Sequence, residues 1–78
     1  MEFLVTSMLV AIQVRKLRQA QNMTQEALAL GCRWHPTQVS RFESGHLSIT
    51  VDQLSRIARV LGVKVSKLIE QVEAEDLK

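Results

Sequence analysis

The stretch that decides the fold runs from Trp34 to Gly45 and reads "WHPTQVSRFESG". Pro36 opens nine residues in which Val39 and Phe42 are the large apolar side chains. Proline has φ fixed near the helical value, and its missing N–H would be unpaired in a first turn anyway, so Pro36 suits the first position of a helix. His35 then falls at the N-cap and Gly45 at the stop. Val39 and Phe42 make one narrow apolar stripe with Glu43 beside it, and Thr37, Gln38, Ser40, Arg41 and Ser44 are left on the outward face. The stretch is expected to be a short helix, about 36–43, that shows hydrogen-bonding groups to something outside the chain.

Its neighbours are helical too. Thr24 is a natural N-cap for a helix over Gln25–Cys32, although Ala27 stands where a glutamate would complete the capping box. Between that helix and the next lie Arg33 to His35, short enough to force a sharp corner. Upstream, Val10, Val14 and Leu17 recur at i, i+4 and i+7 in a helix of about residues 7–21, which Asn22 can close in a left-handed conformation. Downstream, "GHLSI" is a loop. Thr50 and Gln53 then form a full capping box for a helix that buries Val51, Leu54, Ile57, Ala58 and Leu61 and stops at Gly62. Val65, Leu68, Ile69 and Val72 mark a fifth helix. No alternation of useful length survives, so no sheet is expected. Phe3, Leu4, Val5, Met8 and Leu9 are too apolar for a free tail. They are expected to extend the first helix and pack near the fifth, in the chain's own core or across a dimer.

The 78 residues are bounded by composition and charge. A chain of this size has limited core burial, and a partner subunit would help. Cys32 is alone and no Cys/His cluster has metal spacing, which fits a reducing compartment. The apolar N-terminus is too short to span a bilayer and lacks a basic leader, so a cytoplasmic location and no membrane partner are expected. The net charge of +2 hides an asymmetry. Residues 1–67 carry nine Lys/Arg against four Asp/Glu, and residues 68–78 carry four Asp/Glu against one Lys. A basic body with an acidic tail suits an anionic partner for the body.

Two short helices joined by a tight corner, the second polar on its outer face, form an arrangement whose second helix fits the major groove of DNA. Over residues 10–70 the chain resembles the Cro/C1-type, or XRE-type, helix-turn-helix domains of phage repressors and bacterial regulators. The resemblance is carried by "VRKLRQAQNMTQEALA", then "TQVSRFESG", then "LSRIARVLGVKVSKLIE", in that order and at those separations. It implies an all-α, compact five-helix, lambda-repressor-like domain over residues 1–78, with 1–9 an apolar extension and 71–78 an acidic tail. It implies DNA base contacts from Thr37, Gln38 and Arg41. Phosphate contacts fall to Gln25, His35, Ser40, Ser44 and His46. Arg18 and Glu43 match a structural ion pair, and Val65, Leu68, Ile69 and Val72 match a dimer interface.

The chain also departs from the family pattern. Relatives usually place glycine in the turn where this chain has Arg33, and Gly31 comes two residues early. Trp34 replaces a smaller aliphatic residue and is expected to pack the turn against the core. Pro36 stands where relatives often place a base-reading side chain. Cys32 is expected to be a small buried apolar residue.

The function implied is a sequence-specific, homodimeric transcriptional regulator on palindromic operators, similar to restriction–modification controller proteins and small phage repressors. The partners are double-stranded DNA and a second copy, with a toxin or RNA polymerase as further candidates. The rival readings are an antitoxin that represses its own promoter and a protein-interaction adaptor that reads no DNA. No GxSxG, HExxH, P-loop or glycine-rich cofactor turn is present in the sequence, so neither catalysis nor a cofactor or metal is expected.

Overall fold

The computed structural model describes residues 4–5 and 8–69. In chain order it holds β1 (Leu4–Val5), α1 (Met8–Ala20), α2 (Gln25–Cys32), α3 (Pro36–Glu43), β2 (Ile49–Thr50) and α4 (Val51–Leu61). A fifth helix, α5, covers residues 65–69. The class is all-α, as the periodicity indicates. Residues 1–3, 6–7 and 70–78, which include Phe3, Val72 and the acidic tail, lie outside the described residues.

Two expectations are corrected at the N-terminus. The first helix begins at Met8 rather than being extended from upstream. Leu4 and Val5 instead pair antiparallel with Thr50 and Ile49, so a two-residue ladder exists where no sheet was expected. The reason lies at the start of α4. An N-cap residue is extended, and Thr50 sits at φ −77° and ψ 163°, so the backbone entering the helix already has strand geometry. Ile49 is β-branched and fully buried there, and its backbone can accept a second strand. A ladder of two residues has no period to read in the sequence.

Helices α1 to α4 all stop in the same way. The N–H groups of Met23 and Asn22 bond to the carbonyls of Arg18 and Gln19, and those of Trp34 and Arg33 to Ala29 and Leu30. His46 and Gly45 repeat the pattern on Arg41 and Phe42, and Val63 and Gly62 on Ala58 and Arg59. Each is a Schellman closure, which needs one left-handed residue just past the helix. The four are Asn22 (φ 56°), Arg33 (φ 60°), Gly45 (φ 81°) and Gly62 (φ 72°). Asparagine and glycine adopt this region readily; arginine does so under strain.

The core is built from one stripe per helix. Val10, Ala11 and Val14 of α1 meet Leu28, Ala29 and Cys32 of α2, Val39 and Phe42 of α3, and Leu54, Ile57, Ala58 and Leu61 of α4. Helix α2 packs on both α3 and α4, which scarcely touch each other. Gly31 permits that second contact, because a Cβ there would lie 2.9 Å from Val60 Cγ2. Burial pushes the Cys32 thiol up, against a smaller opposing effect of Arg56. Trp34 is half-buried and meets Phe42 edge-on, with ring centroids 6.5 Å apart at 76°, so it packs the turn against the core. Val51 is a further correction: it starts α4 but is exposed, because position N1 faces away from the stripe that Leu54 and Ile57 define.

Candidate nucleic-acid interface

Helix α3 is fixed at both ends by its own flanking residues. At the start, His35 Nδ1 accepts from the Thr37 N–H at 3.2 Å, and Gln38 Oε1 accepts from the His35 N–H at 2.9 Å. Two otherwise unpaired N–H groups are thus satisfied within four residues. An imidazole that accepts at Nδ1 and is neutral carries its hydrogen on Nε2. That N–H is left to donate outward from an exposed position. At the other end, the Ser44 hydroxyl donates to the Ser40 carbonyl at 2.9 Å.

Underneath, a polar node ties α3 to α1. Arg18 Nε donates to Glu43 Oε2 at 2.7 Å and Nη2 to Oε1 at 2.9 Å, a bidentate fork. The remaining nitrogen, Nη1, donates to the Met23 carbonyl at 2.7 Å. The side chains are 9% and 2% exposed, so the pair is desolvated, and its geometry has to compensate for that cost. Hydrogen bonding to Glu43 raises the Arg18 pKa above its ordinary value, with burial opposing. Gln25 joins from the first turn of α2, its Nε2 donating to Glu43 Oε1 at 3.1 Å. One carboxylate therefore holds α1, α2 and α3 together.

The outward face follows from this anchoring. Thr37, Ser40, Arg41 and Ser44 are exposed, as is His46 in the loop beyond, while Gln38 is half-buried. Arg41 leans back toward the loop, Nη2 lying 3.5 Å from the His46 carbonyl, a contact long enough to be given up easily. Gln38 and Gln25 each have one amide function already engaged within the chain. Gln38 keeps its NH₂ free to donate outward, whereas Gln25 keeps its carbonyl. Leu68 is fully buried in the chain's own core, which corrects its assignment to a dimer surface. Val65 and Ile69 are partly buried at the core's edge, and Val72 lies outside the described residues.

Three contacts escaped the sequence. The His35–Gln38 box had a signal, the three-residue spacing from N-cap to glutamine. The Gln25–Glu43 bond and the bond from Gln21 Nε2 to the Leu61 carbonyl at 2.7 Å join residues far apart in the chain and had none. Among the described residues no helix is long and apolar enough to cross a membrane.

A tight α2–α3 corner, a capped α3 with its polar side outward and a buried clasp behind it define a helix-turn-helix DNA-binding protein. The chain belongs to the HTH_3 helix-turn-helix family of XRE-type transcription regulators, whose model matches residues 14–68. These are regulatory proteins rather than enzymes. It is similar to the control protein C.BamHI of Bacillus amyloliquefaciens, with 36% identity over 59 residues, 74% of this chain and 73% of that one. Among solved structures it is similar to the wild-type restriction–modification controller protein C.Esp1396I. That match has 30% identity and a TM-score of 0.76, and covers 88% of this chain and 91% of that one. The controller protein C.AhdI from Aeromonas hydrophila shares the fold at 22% identity and TM-score 0.75, over 78% of this chain and 94% of that one.

Proposed function

We propose that the protein is a sequence-specific transcriptional regulator of the restriction–modification controller type. In this reading it binds palindromic operators as a homodimer in the cytoplasm. The observation that supports it is the build of α3: a helix capped by its own residues and clasped from behind, with Thr37, Ser40 and Arg41 exposed on one side. Those groups match the demands of the major groove. A guanidinium can pair with guanine O6 and N7, and a threonine methyl can meet the thymine methyl. The free Gln38 amide can donate to a purine N7, and its carbonyl, already accepting from the His35 N–H, keeps one lone pair. Phosphate contacts fall to His35 Nε2–H, to the backbone N–H groups at the α2 N-terminus, and to Ser40, Ser44 and His46. Gln25 contributes there through its backbone, and its side chain through Glu43 holds the approach angle.

One helix of this length spans a few base pairs, so two copies reading half-sites about one helical turn apart supply the specificity a monomer lacks. Val65 and Ile69 offer the apolar edge for that pairing. Selection of bound sites from a random DNA pool tests the whole reading. A recovered motif with two-fold symmetry is expected; a pool that shows no enrichment after several rounds refutes DNA reading, and an asymmetric motif refutes the symmetric dimer.

A further inference from the structure

We propose that Arg33, Arg56 and Arg59 form a binding recess for a small ligand bearing a di- or triphosphate group, on the α2–α4 flank. The recess has a volume of about 410 Å³ and is lined by Gly31, Cys32, Arg33, Arg56, Arg59 and Val60. No residue of α3 lines it, so it is separate from the face turned toward DNA. Ligand sites commonly occupy roughly 300–1,000 Å³, and this one is at the small end of that range.

Its walls are explained by packing already described. Gly31 lets α4 approach α2 closely, and Cys32 and Val60 supply an apolar floor. Arg56 and Arg59 are three apart on α4 and so share a face. Arg33 reaches the same space from the end of α2. All three arginines are exposed, and among the described residues none forms an ion pair with a carboxylate, the one such pair being Arg18–Glu43. Asp52, one turn before Arg56, makes no ion pair with it either. Three like charges thus border one volume, and none of the described residues lining it carries a counter-charge.

A second observation points the same way. Arg33 occupies the left-handed closure of α2 at φ 60° and ψ 41°, where glycine would sit without strain. Backbone strain is thus retained at a residue that also borders the recess, which is the pattern of a functional position. A phosphate chain suits three guanidinium groups around one recess, since their forks match phosphate oxygens bidentately. It also concentrates several negative charges in one small volume, which a single carboxylate cannot do. A recess walled by two helices suits a compact ligand better than it suits a flat acidic protein surface.

The test is an amide NMR titration of the full chain with inorganic pyrophosphate and with ATP at constant ionic strength. Saturable shifts confined to residues 31–33 and 56–60 are expected for both probes. Affinity should fall at least about tenfold in the double variant Arg56→Gln/Arg59→Gln. Arg33→Gly should also bind more weakly while melting no lower than wild type, which separates lost binding from lost folding. Shifts that follow added sodium chloride as well as they follow the probes overturn the site. A hexaglutamate peptide that saturates at lower concentration than ATP assigns the recess to an acidic protein instead. A smaller salt dependence of DNA binding in the double variant assigns the arginines to DNA phosphates. Either result overturns the proposal without touching the reading of α3.

Discussion

Replacing Arg18 by alanine withdraws three donors at once. Two serve Glu43, at 2.7 and 2.9 Å, and the third serves the Met23 carbonyl. Glu43 is then a carboxylate with a 2% exposed side chain and a single neutral partner, Gln25 Nε2. Stranding one member of a buried pair costs about 3–5 kcal/mol. For a domain of this size each kcal/mol lowers Tm by roughly 4–8 °C, so a drop of at least about 12 °C is expected. Glu43→Ala should cost less, about 2–3 kcal/mol, because the stranded guanidinium keeps the Met23 carbonyl and is slightly more open to water. The double variant Arg18→Met/Glu43→Leu replaces the pair by apolar side chains of similar volume. It should recover most of the loss and come within about 1 kcal/mol of wild type. Urea melts followed by circular dichroism on Arg18→Ala, Glu43→Ala and the Arg18→Ala/Glu43→Ala double variant, assembled into a cycle, give the coupling energy directly. Strictly additive losses, or an Arg18→Ala cost under about 1 kcal/mol, would refute the picture of a desolvated clasp.

Three further outcomes are expected. Arg41→Ala should lose about 1–3 kcal/mol of discrimination at one base position per half-site, read by competition between selected and random DNA, with melting unchanged. Equal weakening on both DNAs would make Arg41 a phosphate contact. Gly45→Ala should destabilise more than Gly62→Ala in paired thermal melts. Both carry the left-handed penalty of about 1–2 kcal/mol, but a Cβ at Gly45 also collides with Met8 Sδ, whereas at Gly62 it meets open space; equal losses would contradict that packing. Ile69→Glu should leave helicity in place but yield monomers by sedimentation at micromolar protein, with weakened operator binding. An unaffected dimer would move the interface elsewhere.

The helices were legible because their ends were. Thr24, His35 and Thr50 announce starts, and Asn22, Gly45 and Gly62 announce stops, each through a local rule that needs no tertiary information. Arg33 shows where such rules run out. Its closure is the same as the other three, but the residue is a poor one for the job, so the sequence allowed either a strained arginine or a rebuilt turn. The structure has the strained arginine. The β1–β2 ladder was invisible because two residues carry no periodicity, and because its register depends on a partner more than forty residues away. Leu68 was misplaced for a related reason. A helical stripe says which side is apolar, but not whether the covering surface is the chain's own core or a second copy. The Arg18–Glu43 contact came from resemblance alone, since no spacing rule links residues 25 apart.

The capping of α3 also determines how its chemistry can drift over generations. Gln38 and Ser44 hold backbone groups of their own helix, Glu43 is the clasp, and Val39 and Phe42 are core, so substitutions at any of these are penalised through stability. The side chains of Thr37, Ser40 and Arg41 do not brace the helix, apart from the weak reach of Arg41 to the loop. Changes at those three positions alter the exposed face of α3 at almost no thermodynamic cost, typically within about 0.5 kcal/mol for exposed sites. On the proposed reading of α3, Thr37 and Arg41 therefore leave a two-letter space in which new operator preferences can arise by single mutations, each tolerated by the fold before it is tested by selection.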